Sequence, residues 1–110
     1  MTARRYTVVW TGVASRDIER IAAYLVEESP LRAEQILDRI ISRGESLEAA
    51  PQRGHVPPEL RTIGDRIWLQ VLESPWRIVY RIVAKRVEIH GVFDGRRSLE
   101  DILLERILNA

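Results

Sequence analysis

Cysteine is absent from all 110 residues, which excludes disulfides, thiolate metal sites and cysteine nucleophiles. Long apolar runs are absent as well, since no stretch approaches the ~18 uninterrupted apolar residues of a membrane span. The N-terminus, Met1 to Arg5, is polar and has no apolar h-region of the signal-peptide kind. Together these absences lead to the expectation of a soluble, cytoplasmic protein with no membrane role. No glycine-rich loop precedes a helix, and the acids and histidines form no ligand-spaced cluster, so no metal and no cofactor is expected. Repeats, low-complexity runs and heptads are missing too. Lysine is nearly missing: Lys85 stands alone against sixteen arginines. Arginine offers a flat, multi-donor fork suited to carboxylates and phosphates, although a high-arginine genome gives the same bias.

What remains is ordinary for one globular domain over residues 1–110, with 45% hydrophobic and 30% charged residues. The net charge of +1 is unevenly spread. Residues 1–50 carry seven basic and eight acidic side chains, residues 51–97 nine and five, and residues 98–110 have a net charge of −2. A modest basic patch in the second half is allowed, and nucleic-acid binding is not required.

Tyr6-Thr-Val-Val-Trp10 reads as a first strand. Thr11 can cap a helix of about fourteen residues whose stripe is Ala14, Ile18, Ile21, Ala22 and Leu25. Asp17 and Glu19 lie near its start, where negative charge is favoured. Ser29-Pro30 reads as the start of a second helix, with Ala33, Ile36, Leu37, Ile40, Ile41 and Leu47 inward. Gly44 falls on that stripe and either allows close helix approach or marks fraying. The two helices should form an antiparallel hairpin. Ala50 to Asp65, rich in proline and glycine, reads as a connection packed over the surface.

The period then changes to two. Ile67, Leu69 and Val71 alternate with Trp68, Gln70 and Leu72; Trp76, Ile78, Tyr80 and Ile82 alternate with Arg77, Val79, Arg81 and Val83. Val87, Ile89, Gly91 and Phe93 alternate with Glu88, His90, Val92 and Asp94, so alternation puts His90 on the side of Glu88, Val92 and Asp94. Three strands with short turns make an antiparallel meander, and neither face is purely polar. Ser98 and Asp101 look like a capping box for a last helix, Leu99 to Leu108. Its apolar positions cover more than half its circumference, so it is either deeply buried or meets another molecule. The order β-α-α-β-β-β-α implies an α+β fold, with a helical hairpin packed on a small, mostly antiparallel sheet.

With that order, the chain resembles the RelE/ParE superfamily of type II toxin–antitoxin toxins, often described as plasmid stabilisation proteins. The likeness runs from Trp10-Thr11 and Ala14…Asp17-Ile18…Ile21…Tyr24-Leu25 through Pro51…Arg53-Gly54. It continues in Trp76-Arg77-Ile78-Val79-Tyr80-Arg81 and in Val87-Glu88-Ile89-His90-Gly91-Val92-Phe93-Asp94-Gly95-Arg96-Arg97. The resemblance implies a growth-arresting toxin that is silenced, in a hetero-oligomer, by a cognate antitoxin wrapped around it. RelE-like members cut messenger RNA on the ribosome; ParE-like members poison DNA gyrase. A two-helix start without an inserted basic helix looks more like the ParE side.

Metal-independent RNA cleavage needs a base for the 2′-hydroxyl, an acid for the leaving oxygen and cations for the phosphorane. Carried over by position, Arg81 and Arg97 match the phosphate-holding arginines, and His90 is the available acid or base. The tail from Ser98 to Ala110 has no tyrosine, histidine or lysine, which departs from the ribonuclease pattern. The catalytic set, if the chain is a ribonuclease, is therefore Arg81, His90 and Arg97. Target or phosphate binding falls to Arg77, Arg81, Arg96 and Arg97, with pairing of the arginines to Glu88 or Asp94 as the structural alternative. Trp68, Trp76, Leu103, Leu104, Ile107 and Leu108 are candidates for the antitoxin interface. Tyr80 reads as structural, and His55 as a loop residue without chemistry. Three activities stay open: a gyrase-directed toxin, a ribosome-dependent ribonuclease, and a toxin fold that only binds its antitoxin.

Overall fold

Four β-branched or aromatic residues, Thr7–Trp10, form strand β1, and the chain then turns at Thr11 into helix α1, Gly12–Glu28. The computed structural model describes residues 5–62, 64 and 66–96. The expected last helix, its capping box, Arg97, Leu103, Leu104, Ile107 and Leu108 lie outside the described residues. Thr11 caps α1 as expected: its hydroxyl accepts from the N–H of Ala14 at 3.2 Å. The helix has 17 residues, longer than the expected fourteen: it runs one turn past its last buried residue, Leu25, to Glu28, and Ser29 closes it by donating its N–H to the Leu25 carbonyl.

That same bond corrects the reading of Ser29-Pro30. Ser29 ends α1 rather than starting the next helix, and residues 30–32 form the reversing turn, with the N–H of Arg32 on the Ser29 carbonyl at 2.9 Å. Helix α2 begins only at Ala33 and runs to Glu45, with no side-chain cap. Ala33, Ile40 and Gly44 are its buried positions, whereas Ile41 faces outward. Gly44 serves close approach: a Cβ there would stand 2.6 Å from the Trp10 ring and 3.0 Å from Ile89 Cδ1. The Trp10 indole N–H, next to that contact, donates to Glu45 at 2.9 Å.

The connection after α2 is more structured than a surface loop. It makes two 3-10 turns, Ser46–Glu48 and Pro51–Arg53, and a short helix α3, Pro58–Arg61. Between them His55 exchanges two backbone hydrogen bonds with Gln70, an isolated antiparallel bridge that ties the connection to the sheet edge. Strands β2 (Leu69–Glu73), β3 (Trp76–Val83) and β4 (Arg86–Asp94) follow as the meander. The sheet order is β1-β4-β3-β2, with β1 parallel to β4 and the other pairs antiparallel. Placing β1 beside β4 brings the two ends of the element order together, as a strand–hairpin–meander topology requires.

One face of this sheet lies under the hairpin. Ile78, Tyr80, Val87, Ile89 and Val92 meet Ala14, Ile21, Leu25, Ile40 and Leu47 in the main core. Each large aliphatic side chain buried this way contributes about 1.5–3 kcal/mol. Where β1 ends, α1 takes over its partner duties toward β4. The N–H and hydroxyl of Thr11 both donate to the Ile89 carbonyl, at 3.1 and 3.0 Å, and the buried Asp17 carboxylate accepts from the N–H of Val92 at 2.9 Å. Asp17 therefore serves the strand and not the helix dipole, correcting its expected role: it sits beyond the first turn and is 6% exposed.

A further correction concerns β4. Tyr80 pairs with Ile89, but Val79 pairs with Gly91, so His90 is an extra residue opposite no partner. This bulge breaks the alternation: Ile89 and Val92 both reach the main core, and Phe93 moves to the opposite face beside Val79, Leu60 and Trp68. His90 stays with Glu88 on that opposite face, while Val92 leaves them.

Candidate functional site

The sheet face away from the hairpin carries the residues singled out for chemistry. Alternation along β3 brings Arg77, Val79 and Arg81 to it, and β4 adds Arg86, Glu88, His90 and Phe93. Register sets Arg81 directly across from Glu88. Arg81 Nε donates to Glu88 Oε1 at 2.9 Å, and Arg86 donates through Nη2 and Nε to Glu88 Oε2 at 2.8 and 3.3 Å. His90 Nε2 lies 3.1 Å from Glu88 Oε1; a carboxylate can only accept, so Nε2 carries the proton. Arg86, His90 and Arg81, in that order, hold the Glu88 carboxyl down to about 2 from an ordinary 4.5. Trp68 backs the cluster, with the Arg81 guanidinium 5.4 Å from its ring centre and the His90 ring edge-on at 5.0 Å.

Arg77 is a different kind of residue. It is 6% exposed, and its guanidinium donates to Gln70 Oε1 at 2.7 Å and, as a fork, to both oxygens of Glu59 at 2.9 and 3.0 Å. It also lies 5.3 Å from the Phe93 ring centre. Arg77, a candidate for target binding, uses these donors to clamp α3 to the sheet. Arg96 lies at the end of β4, tied through its backbone N–H and side chain to Asp94. Gly95 donates to the Pro75 carbonyl at 2.5 Å, and a Cβ on it would stand 2.7 Å from that oxygen, so the turn there is closed by backbone contact.

Trp76, a candidate for the antitoxin interface, lies on the hairpin side of the sheet. It is 8% exposed and belongs to the main core, so its ring is packed inside the fold rather than displayed. Trp68 is half-buried on the opposite face and keeps part of its surface in water. Tyr80 is structural, as read: its hydroxyl donates to the Pro51 carbonyl at 2.7 Å and accepts from the N–H of Gly54 at 3.0 Å. Burial raises its pKa, with the Gly54 N–H and the nearby Arg53 opposing. Gly54 is required at that approach, since a Cβ would stand 2.3 Å from the hydroxyl.

The structure thus brings Arg81 and His90 together on one carboxylate, and separates both from Arg96. Sequence reasoning missed Arg86, although its spacing from Glu88 on one strand places both on one face. It also missed Glu59 and Gln70 as partners of Arg77. Among the described residues no group of three or more His, Cys, Asp or Glu is placed to hold a metal, and no helix is long and apolar enough to cross a membrane.

A family model, that of the ParE toxin of type II toxin–antitoxin systems (parDE), matches residues 8–99. The chain belongs to the ParE toxin family. Solved structures agree on the fold. The chromosomal ParDE toxin–antitoxin system from P. aeruginosa aligns with a TM-score of 0.68 at 19% identity, covering 83% of this chain and 97% of that one. The RelBE2 toxin–antitoxin complex from Mycobacterium tuberculosis aligns with a TM-score of 0.60 at 22% identity, covering 84% and 94%. No curated protein sequence gives a significant match. The α+β arrangement of this ParE-family chain, with strand, helical hairpin and mixed sheet, is the RelE/ParE topology.

Proposed function

We propose that this ParE-family toxin acts by binding a macromolecular target, DNA gyrase, and is held inactive in a hetero-oligomer with a cognate antitoxin. The observation that carries this reading is the state of its cations. On the described sheet, Arg77 is matched by Glu59, Arg81 and Arg86 by Glu88, and Arg96 by Asp94. A phosphorane needs cations that are free to meet developing charge, and arginines already paired with carboxylates of the same chain suit a protein-binding surface better. Family membership and the absence of a tyrosine, histidine or lysine from residues 98–110 support the same side.

One observation favours a second reading. Arg81 and His90 share Glu88, which is the pairing of a phosphate-holding cation with an acid or base that a ribosome-dependent messenger ribonuclease would use. Expression without an antitoxin separates the readings when followed by two parallel assays. Binding to gyrase predicts growth arrest, relieved by the neighbouring antitoxin, with loss of supercoiling or trapped cleaved DNA. Messenger cut on ribosomes, with supercoiling untouched, would replace it by the ribonuclease. Expression without growth arrest would instead indicate a fold retained only as an antitoxin partner.

A further inference from the structure

Three side chains from two strands converge on a single carboxylate, and toxin action by protein binding does not require that convergence. Glu88 receives Arg81 Nε, two nitrogens of Arg86 and His90 Nε2, all between 2.8 and 3.3 Å. The Glu88 side chain is 14% exposed, while those of Arg81, Arg86 and His90 are 40%, 49% and 31% exposed. The donors are therefore reachable from solvent, and the acceptor sits beneath them. Planar guanidinium forks accept a carboxylate or a phosphate with the same geometry. Trp68 adds an aromatic wall under Arg81 and beside His90. Cations, a proton donor and an aromatic ring are the parts from which single-stranded nucleic-acid sites are made.

The occupant of this anion site belongs to the chain. Glu88 is fixed on β4, two residues from Arg86 and from His90 and across the ladder from Arg81. Its binding loses no translational or rotational freedom, whereas an outside anion must bear that loss and displace Glu88 as well. We infer that Glu88 is a specificity determinant, a resident carboxylate that excludes nucleic-acid phosphodiesters from an anion site otherwise shaped to hold one. The inference rests on the reading of the toxin as a binder rather than a nuclease, and supplies a physical reason for it. Mixed charge on this face follows directly: the same acid that completes the site also offsets one of the two guanidinium charges that would draw a nucleic acid to it.

The test is binding of a short, fluorescently labelled single-stranded RNA at low salt, comparing the native chain with Glu88→Gln. The amide keeps the shape and one acceptor but removes the charge. RNA should bind Glu88→Gln about 10- to 100-fold more tightly than the native chain, the span of one recovered charge-assisted contact. Its log affinity should fall more steeply with log salt, by about 0.7 for each phosphate gained. Adding Arg81→Ala or Arg86→Ala to Glu88→Gln should remove the gain. A folded Glu88→Gln chain that binds no tighter than the native one, or a gain that survives loss of both arginines, overturns the inference. A second measurement needs no variant. The arginine Nε–H resonances of Arg81 and Arg86 in the native chain should stay in place as inorganic phosphate is added, and movement of either overturns the exclusion. Gyrase assays on the native chain keep the two ideas apart. Untouched supercoiling with an RNA gain in Glu88→Gln removes the proposed function and retains the exclusion; the reverse result does the opposite.

Discussion

On the hairpin side of the sheet, Ile78, Tyr80, Val87, Ile89 and Val92 meet the helices in a core with a single buried charge from α1, Asp17. On the other side, Arg77, Arg81, Arg86, Glu88 and His90 share the surface with Val79, Phe93 and Trp68. The same two central strands build both. The first face is held by shape and burial, which tolerate no lost volume. The second is held by charge pairs, Arg77 on Glu59 and Arg81 and Arg86 on Glu88, that lie outside the main core. Stability is concentrated on one side of the sheet, and ionisable chemistry on the other.

The comparison can be broken most severely from the hairpin side. Ile78→Ala or Ile40→Ala, each fully buried, should destabilise the fold by about 2–5 kcal/mol in denaturant melts. Loss from the second face should be smaller. Arg77→Ala removes the guanidinium fork from Glu59, which keeps 26% of its side chain exposed, so we expect about 2–3 kcal/mol, below the full penalty of breaking a buried pair. Gly44→Ala should cost about 1–3 kcal/mol, because its Cβ would press on the Trp10 ring at 2.6 Å. Tyr80→Phe should cost about 1–2 kcal/mol by leaving the Pro51 carbonyl and the Gly54 N–H without the phenol. A Tyr80→Phe chain that lost toxicity at full stability would contradict its structural role.

The smallest effect sharpens the second face alone. The Glu88 carboxyl titrates lower in the folded chain, at about 2, than its ordinary 4.5. A depressed carboxyl adds stability that is fully present above the unfolded value and fades as pH falls from there toward the folded one. Melts of the native chain should therefore lose this contribution between pH 4.5 and about 2, and Glu88→Gln should lack that component of the acid slope.

Much of the first face was legible in the sequence because its rules are periodic. Helical spacing of Ala14, Ile21 and Leu25, and alternation of Ile78 with Tyr80, follow from burial on one side. The second face was legible only up to the bulge. Alternation predicted the company of Arg77 with Arg81 and of His90 with Glu88, but a single inserted residue at His90 sent Val92 to the core and Phe93 away from it. Periodicity has no means of announcing such a shift, since Val92 and Phe93 are both apolar. The clamp of Glu59 on Arg77 was invisible for another reason: its partners are 18 residues apart across an irregular connection, and only the folded path of α3 brings them together. The start of α2 was misread because a serine–proline pair can close one helix as well as open the next.

The described charges of the second face are committed to one another, with Glu88 shared by Arg81, Arg86 and His90. The most direct test is the carboxyl titration of Glu88, followed by the carbon chemical shift of its side chain as pH is lowered in the folded protein. A midpoint near about 2, set by Arg86, His90 and Arg81, is expected, and a midpoint at the ordinary 4.5 would mean that these charges are not engaged with Glu88.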